Sequence, residues 1–442
     1  MKTFTRTTIR SEMMLAVKSI VGRMHRDGPL PFSTVMREAL YGAEGFYTTG
    51  GGAGRRRDFV TSPEVGSLFG AVISNALDGW WVACGSPDPF IVAECGAGPG
   101  TLAVSILAAK PQCAPALRYL MIDSSPAMRD IARARKLPLV ESWEVLAGFS
   151  ESAHDDDEEI EGFDDRVPSP RQGPLVASLS ALPTSSVHIV LANELLDNIP
   201  FDIAVRTADG WAEVRVGLAI TDSADSVGVA AIGSGAQSEE ITSGLSVAAV
   251  GSVQVAMIDS VAELGVGVKG EFVEYLIPAT DEMTEFLDPF GGSVPVGSEI
   301  PVAREAAQWV REAVACLVDG GRVVCIDYAA STEELASRPD RGWLRTYRRQ
   351  TSAGDPLQWL GSTDITADVP FDQLPMALIC TQSEFLKAHG IDTLVESAQS
   401  YWDAHGSSGD LAALKARSWI SEAQTLTEPN GLGSFLVLEW KR

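Results

Sequence analysis

A chain of 442 residues is long enough for two or three domains, or for one large domain with insertions. Its formal net charge of −25 makes it strongly acidic. Because phosphate binding is largely electrostatic, this charge argues against nucleic acids and anionic membrane surfaces as partners. It leaves open a basic protein partner, and it is equally compatible with a role in solubility alone.

The cysteines and the N-terminal residues exclude further classes. The six cysteines include no Cys-X-X-Cys pair, so neither a disulfide framework nor a metal site is predicted. The first 24 residues carry basic side chains but no continuous apolar core, which makes them a poor secretory signal. No stretch approaches the roughly 20 apolar residues of a membrane span. We therefore expect a cytoplasmic protein that inserts no segment into a membrane.

The N-terminal region is predicted to be helical and then rich in glycine. Apolar residues at helical spacing indicate an amphipathic helix over residues 9–26 and a second helix over residues 32–41. Residues 42–64 contain so much glycine that we expect irregular backbone that can approach a ligand closely. Ser62 is expected to cap a third helix that runs to about residue 81.

From residue 90 onward, apolar segments of strand length alternate with helical patterns. They predict five strands, at residues 90–95, 119–123, 137–140, 187–192 and 322–328. Strands that alternate with helices imply a parallel sheet with right-handed crossovers. Residues 376–380 and 434–440 are predicted to be the closing strands.

Two stretches interrupt this alternation. Residues 151–172 are acidic and predict a disordered loop, whereas residues 203–300 contain short alternating segments and predict a β-rich insertion. Residues 342–369 are expected to be mostly loops. We therefore divide the chain into four parts: an N-terminal helical and glycine-rich cap (1–86), a first core part (87–202), the β-rich insertion (203–300) and a second core part (301–442).

The most informative stretch is E-C-G-A-G-P-G-T-L at 94–102, directly after the first predicted strand. Gly96, Gly98 and Gly100 are spaced G-x-G-x-G, which differs from the G-x-G-x-x-G of dinucleotide-binding proteins. Glu94 lies two residues before the first glycine, and Asp123 lies at the end of the next strand. Two acids in these positions suit S-adenosylmethionine (AdoMet), because its ribose hydroxyls need an acceptor. A plain tight turn is the structural alternative, and a nicotinamide cofactor is a more distant one.

Motifs along most of the chain give it a specific resemblance, to the MidA/NDUFAF7 family of AdoMet-dependent methyltransferases. In addition to the glycine turn, the matching stretches are L-Y-G-A-E-G-F-Y at 40–47, R-D-F-V-T-S-P-E-V-G-S-L-F-G at 57–70, D-S-S-P-A-M-R at 123–129, A-N-E-L-L-D-N-I-P-F at 192–201, I-D-Y at 326–328, L-R-T-Y at 344–347, D-P-L at 355–357 and G-S-T-D-I-T-A-D-V at 361–369. The chain departs from the family at Arg57 and Ala329, where the family usually has glycine, and at Pro99, where it often has arginine.

The resemblance implies a fold and a function. The fold is α/β: a Rossmann-like class I methyltransferase core with a mostly parallel seven-stranded sheet and an N-terminal helical cap. The cofactor is AdoMet and the substrate is a protein, because the mitochondrial relatives are arginine methyltransferases that act in respiratory complex I assembly. A subunit of a respiratory complex is therefore one candidate substrate, and the oligomeric state is not predicted.

The predicted cofactor residues belong to the ends of the first two strands, namely Glu94, Gly96, Gly98, Gly100, Asp123 and Ser124. Asn193, Glu194 and Asp197 follow the fourth strand, where class I methyltransferases place catalytic side chains. Carboxylates there could hold a planar guanidinium and aim one of its nitrogens at the sulfonium, and Glu194 is the main candidate. The alternative for Glu194 is an acid favoured by the dipole at a helix N-terminus.

The resemblance also suggests residues that bind the substrate or form a lid, namely Asp58, Thr61, Ser62, Glu64, Asp327 and Tyr328. Helix capping would explain Ser62 without such a function, and Tyr328 could simply be a buried tyrosine. The chain as a whole is thus predicted to transfer a methyl group from AdoMet to a protein side chain, with the arginine guanidinium as the expected acceptor. The alternative is a non-catalytic module that keeps the fold and binds a partner protein.

Overall fold

The computed structural model describes residues 6–49, 51, 61–140, 173–222, 226–228, 270–348, 351–352 and 354–442. Several predicted features lie outside the described residues: Asp58, the acidic stretch 151–172, and most of the Ser- and Ala-rich part of the insertion. None of the helices within the described ranges is long and apolar enough to cross a membrane.

The α-helices of the described ranges are numbered in chain order. They are α1 Arg6–Asp27, α2 Phe32–Tyr41, α3 Ser62–Val65, α4 Ser67–Ala83, α5 Thr101–Ala109, α6 Pro126–Arg133, α7 Asp281–Leu287, α8 Arg304–Ala315, α9 Thr332–Ala336, α10 Gln382–Ala388, α11 Ile391–His405 and α12 Leu411–Leu426. Helices α1 and α2 coincide closely with the two predicted N-terminal helices.

The strands are numbered in the same way. They are β1 Leu30–Pro31, β2 Phe90–Cys95, β3 Leu117–Ile122, β4 Leu175–Leu179, β5 Val187–Asn193, β6 Asp202–Thr207, β7 Gly210–Asp222, β8 Ser226–Gly228, β9 Gly270–Pro278, β10 Glu299–Val302, β11 Leu317–Asp327, β12 Ala329–Ala330, β13 Leu344–Arg348, β14 Thr351–Ser352, β15 Asp364–Ala367, β16 Val369–Pro370, β17 Leu378–Thr381 and β18 Leu436–Lys441.

The central sheet has seven strands in the order β17-β18-β11-β5-β2-β3-β4. Strands β4, β3, β2, β5 and β11 are mutually parallel, and β18 runs antiparallel to both of its neighbours. Every residue of β2 and β3 is buried, as expected for strands covered by helices on both faces. The predicted class I methyltransferase fold is confirmed.

The alternation of side chains along β2 determines which helices cover each face. Phe90 and Val92 point to a core that α4, α5 and the C-terminal helices α10–α12 complete. Ile91 and Ala93 point to the other face, where the small side chains of α8 pack against them. The period of two along the strand thus buries both faces with apolar residues.

Most strands of a second, antiparallel sheet come from the region predicted to be a β-rich insertion. Strand β7 lies at its centre, β6 joins it to β10, and β9 and β1 also pair with β7. Helices α1 and α2 pack against this sheet through apolar residues that recur at helical spacing, such as Ile20, Met36 and Leu40. The N-terminal helices therefore belong to the core of the second sheet.

The predicted third strand at residues 137–140 is wrong. The strand that pairs with β3 is β4, and residues 137–140 contribute an isolated bridge between Leu139 and Val176. Pro138 has no amide proton to donate to a ladder, which limits this stretch to a single bridge at the sheet edge. The end of the third strand consequently lies near residue 180 instead of residue 140.

Two further predictions about local structure need refinement. Residues 342–369 are rich in loops as predicted, but they also contain β13, which pairs with β14 and β15 in a small antiparallel sheet. The predicted helix from Ser62 to about residue 81 is interrupted at Gly66, whose extended backbone separates α3 from α4. Ser62 does not cap either helix, since its hydroxyl donates a hydrogen bond to Gln382.

Candidate active site

The glycine turn after β2 has a backbone conformation that requires glycine. Gly96, Gly98 and Gly100 have φ angles of +73°, +51° and +73°. Residues with a side chain pay roughly 1–2 kcal/mol in this left-handed region. A Cβ atom on Gly100 would also lie 3.0 Å from Sδ of Met121. The turn therefore brings backbone amides to the start of α5 without side chains in the way.

Asp123, just after β3, ties this turn to the neighbouring strand. Its Oδ2 accepts a hydrogen bond of 2.8 Å from the Gly98 amide, and its Oδ1 accepts one of 2.8 Å from the Ser125 amide. Burial raises the pKa of Asp123, and these two backbone donors oppose that rise. Each carboxylate oxygen can accept a further hydrogen bond, which leaves capacity for ligand hydroxyls.

Glu94 is the buried acid at the end of β2. Only 6% of its surface is exposed, and its Oε2 accepts a hydrogen bond of 2.9 Å from the Tyr119 hydroxyl on β3. Burial raises its pKa to about 8. A cationic group brought into this site would favour the ionised carboxylate. Glu94 therefore suits a ligand that carries a positive charge.

A cavity of about 700 Å³ opens beside the turn. This is within the range of about 300–1,000 Å³ that is usual for small-molecule sites. The predicted residues that line it are Glu94, Gly96, Gly98, Asp123, Ser124, Thr61, Glu64, Asn193 and Glu194. Those outside the lining are Gly100, Ser62, Asp197, Asp327 and Tyr328.

The lining fits AdoMet chemically. The glycine turn, Glu94 and Asp123 supply amides and acids for a charged amino-acid end and for ribose hydroxyls. Apolar side chains on other walls, including Leu182 and Trp309, offer a surface for a flat base. Among the described residues, no group of three or more His, Cys, Asp or Glu side chains is arranged to hold a metal ion.

Glu194 lies on another wall of the same cavity, just after β5. Its φ of +51° is rare for a residue with a side chain, and such conformations concentrate at functional sites. Its Oε1 accepts hydrogen bonds from Asn193 Nδ2 at 3.1 Å and from the Ser62 amide at 3.3 Å. Burial, with the nearby charge of Asp197, raises the pKa of Glu194 to about 8. Asn193 Oδ1 is buried and has no hydrogen-bond partner among the described residues.

Asp197 and Asp327 lie outside the cavity lining, close to the segment that follows Glu194. Asp327 is 1% exposed, and its Oδ2 accepts hydrogen bonds from the amides of Leu195, Leu196 and Asp197. It does not line the cavity, although the sequence suggested that it could face the substrate. Asp197 Oδ2 accepts a bond of 2.5 Å from the Thr366 hydroxyl on β15. Burial raises the pKa of Asp197 to about 6.

Tyr328 is a half-buried aromatic residue and does not line the cavity. Its ring centroid lies 4.0 Å from that of Phe435, and the Arg345 guanidinium lies 4.8 Å from its ring. Tyr328 therefore packs against neighbouring side chains outside the cavity lining, and its predicted contact with the substrate stays a prediction. Glu64 does line the cavity, and its Oε1 accepts a bond of 2.7 Å from the hydroxyl of Thr101, the first residue of α5.

Several cavity residues were missed by the sequence analysis. Tyr41, Tyr47 and Asn198 lie inside motifs that carried the family resemblance, and these motifs could have drawn attention to them. The Tyr41 hydroxyl donates to the Asn198 carbonyl, and the Tyr47 hydroxyl lies 3.0 Å from Asn198 Oδ1. Residues 180–184 also line the cavity, and they were missed because the third strand was placed at residues 137–140.

The comparisons with known proteins agree with this geometry. Residues 72–391 match the family model described as "Putative S-adenosyl-L-methionine-dependent methyltransferase". The chain is similar to the mitochondrial protein arginine methyltransferase NDUFAF7 homolog of Drosophila melanogaster, at 27% identity over 218 residues, which are 47% of this chain and 46% of that protein. The mitochondrial NDUFAF7 of Danio rerio is 26% identical over 208 residues, 45% of this chain and 46% of that protein. The chain thus spans about half the length of the curated relatives it matches.

A solved structure is similar over nearly the whole chain. It is a protein from Burkholderia thailandensis bound to S-adenosyl-homocysteine, with a TM-score of 0.68 and 23% identity, and the match covers 98% of this chain and 93% of that one. At this identity the likeness shows the fold alone. The family match over residues 72–391 goes further and confirms the resemblance to the MidA/NDUFAF7 proteins. The chain therefore belongs to this family of methyltransferases, whose cofactor is S-adenosyl-L-methionine.

Proposed function

We propose that the protein transfers a methyl group from AdoMet to the guanidinium group of an arginine in a protein substrate. The observation that carries the proposal is that Glu194 and Asn193 open on the same cavity as the glycine turn. Glu194 is half-buried and Asn193 hydrogen-bonds to its carboxylate, so a carboxylate held by a neighbouring amide lines the cavity that would receive the cation.

The chemistry of arginine fits these acceptors. A guanidinium is planar and donates in fixed directions, so a carboxylate and a neighbouring amide oxygen can fix its orientation. AdoMet, when bound, supplies an electrophilic methyl group. Glu194 and Asn193 then have the task of holding one guanidinium nitrogen in line with that methyl group, and such positioning is a large part of catalysis in group transfer.

The raised pKa of Glu194 has a place in this proposal. An incoming guanidinium favours the ionised carboxylate, so the pKa falls when the substrate binds. Because methylated arginine stays cationic, the proton leaves the attacking nitrogen late. Before binding, a carboxyl with a pKa of about 8 is mostly protonated near neutral pH. Binding of the guanidinium releases that proton to solvent, and the carboxylate formed can then accept the proton that the methylated nitrogen loses.

Two other observations support a basic protein segment as the substrate, and the first of them supports arginine in particular. The relatives from Drosophila melanogaster and Danio rerio carry the name protein arginine methyltransferase, although each match covers less than half of the chain. The net charge of −25 favours association with a basic protein segment. A respiratory-complex subunit as the substrate and a cytoplasmic location stay predictions.

The test uses purified protein, AdoMet with a labelled methyl group, and extract from cells that lack the gene. We expect labelled methylarginine in the extract proteins by mass spectrometry, and its loss with Glu194→Gln. The control Glu333→Gln changes an exposed glutamate on α9 and should leave labelling unchanged. Label on a different side chain would overturn arginine as the acceptor. Binding of AdoMet by calorimetry without any labelled protein would favour the non-catalytic binding module.

A further inference from the structure

Ser62, the first residue of α3, connects Glu194 with the C-terminal part of the chain. It is fully buried, and its amide donates to Glu194 Oε1 over 3.3 Å. Its hydroxyl donates to Gln382 Oε1 over 2.9 Å. One residue therefore contacts both the acid of the proposed acceptor site and a side chain 320 positions further along the chain.

Gln382, the first residue of α10, is fully buried and uses both ends of its side-chain amide. Its Oε1 accepts from Ser62, and its Nε2 donates over 3.0 Å to the carbonyl oxygen of Leu426 at the end of α12. An unpaired buried polar group costs about 1–3 kcal/mol. Any rotation of Gln382 would break these bonds, so its side chain holds Ser62 in one position.

A second buried side chain holds the same segment. Glu422 of α12 is 6% exposed, and its Oε2 accepts a bond of 2.8 Å from the amide of Leu68. Gly66 lies so close that a Cβ atom there would be 2.0 Å from the Glu422 carboxyl carbon. The C-terminal helices thus hold the segment from Ser62 to Leu68 at both of its ends.

We propose that Ser62 and Gln382 are positioning residues for methyl transfer: Gln382 fixes the Ser62 side chain, and this holds the Ser62 amide against the Glu194 carboxylate. The inference rests on the proposed function, which gives Glu194 the task of binding the guanidinium. Neither residue lines the cavity, so both act through Glu194 and neither contacts the substrate.

The electrostatics around Glu194 make this amide important. Among the described residues, the titratable groups that interact with Glu194 include the acidic side chains Asp197, Asp364 and Asp327 and the phenol of Tyr328. Against them, the Ser62 amide and Asn193 Nδ2 lower the pKa of Glu194 by donating to its charged form. When the Ser62 amide moves away, the pKa of Glu194 rises and the ionised form needs a higher pH.

The test is the pH dependence of methyl transfer in Ser62→Ala and Gln382→Met, with extract proteins and labelled AdoMet as the substrates. We expect kcat near neutral pH to fall about 3- to 10-fold, as the weakening of a hydrogen bond to a charged group predicts. The midpoint of the acidic limb should move to higher pH, while the affinity for AdoMet stays unchanged. In the double variant the effects should not add, because both substitutions break one connection.

Gln373→Met is the matched control. Gln373 is also a buried glutamine with both ends of its amide bonded, to the amide of Ala303 and the carbonyl of Pro301, and it has no contact with Glu194. It should cost stability without moving the midpoint. Ser62→Ala removes a single oxygen atom, so it tests the proposal even if Gln382→Met does not fold.

A second readout does not depend on turnover. Carbon-13 NMR of protein labelled at the glutamate carboxyl carbons follows the ionisation of Glu194, whose signal is the one that Glu194→Gln lacks. We expect its pKa to rise in both variants and to stay unchanged in Gln373→Met. Wild-type protein that transfers no methyl group overturns the proposed function, whereas methyl transfer with an unmoved pKa in both variants overturns the positioning role.

Discussion

The two halves of the cavity are held together in different ways. The cofactor half, named for its proposed role, contains the glycine turn with Glu94 and Asp123, and the acceptor half, named likewise, contains Asn193 and Glu194. In the cofactor half, the polar contacts join residues 25 positions apart: Glu94 with Tyr119, and Gly98 with Asp123. In the acceptor half, the contacts of Glu194 with Ser62 and of Asp197 with Thr366 span 132 and 169 positions. The glycine turn and both acids of the first half belong to a single βαβ unit, whereas the polar groups of the second half come from several distant segments.

Because of this difference, we expect cofactor affinity and the rate of methyl transfer to change independently. Substitutions in the βαβ unit should alter cofactor affinity, because the turn and both acids belong to that unit. Substitutions in α3, α10 or the small sheet of β13–β15 should alter methyl transfer with little effect on cofactor affinity. Each of the following experiments tests whether the two halves are separable in this way.

The largest effect is expected from Glu194→Gln in the acceptor half. Removing the charge that holds the guanidinium should lower kcat/KM by about 100-fold or more, since misplaced reacting groups typically cost about that factor. The dissociation constant of AdoMet, measured by calorimetry, should stay within about twofold of the wild type. A comparable loss of AdoMet affinity would show that the two halves are not separable.

Asp123→Ala is the corresponding change in the cofactor half. It removes the acceptor proposed for the ribose hydroxyls and the support of the Gly98 amide, so the affinity for AdoMet should fall about 10- to 100-fold. Asp78→Ala is the control, because Asp78 also accepts from two backbone amides, those of Gln112 and Cys113, but away from the cavity. If both variants bind AdoMet equally, Asp123 has no specific role in cofactor binding.

The stability of Glu94→Gln should depend on pH in a defined direction. In the wild type without AdoMet, burial raises the pKa of Glu94 from 4.5 to about 8. Between these two values the folded protein retains a proton that the unfolded chain has lost. The stability of the wild type that goes with the protonated Glu94 is therefore fully present below about pH 4.5 and is lost as the pH rises to about 8. The free energy of unfolding, measured in urea, should thus rise for Glu94→Gln relative to the wild type as the pH increases over this range. A difference between the two proteins that does not change with pH would contradict the raised pKa of Glu94.

The smallest effect is expected from Tyr47→Phe, which removes a hydroxyl within 3.0 Å of Asn198 Oδ1 and 2.9 Å of Asp364 Oδ1. We expect a loss of about 1 kcal/mol in stability and a few-fold decrease in methyl transfer. The control Tyr275→Phe removes a hydroxyl that donates to the Leu218 carbonyl in the second sheet. It should match the loss in stability and leave methyl transfer unchanged.

The comparison of the two halves also explains what the sequence could predict. Strands β2, β3, β5 and β11 each contain a short run of mainly apolar residues, and a run of that kind indicates a buried parallel strand without knowledge of its partners. The glycine turn could also be predicted from the sequence, because backbone with positive φ angles and close contacts requires glycine at these positions. The fold and the cofactor half were therefore predictable from short stretches of sequence.

The acceptor half was not predictable in the same way. Asp327 ends a strand and lies within the family motif I-D-Y, which suggested contact with the substrate, yet its carboxylate accepts hydrogen bonds from three amides of residues 195–197. Asp364 and Thr366 made their segment look like a loop, because polar residues in a strand are buried only when distant partners satisfy them. Such pairings over 130 or more positions leave no local pattern in the sequence.

The position of Asp327 has a consequence for the interpretation of genetic screens. Replacing this carboxylate by alanine would leave three backbone amides at the end of β5 without their acceptor, at a cost of about 1–3 kcal/mol for each buried group. Such an allele would lose function by lowering the amount of folded protein, although its side chain never contacts a substrate. A screen that scores only growth would class Asp327 with Glu194, and a parallel measurement of protein abundance would separate the two.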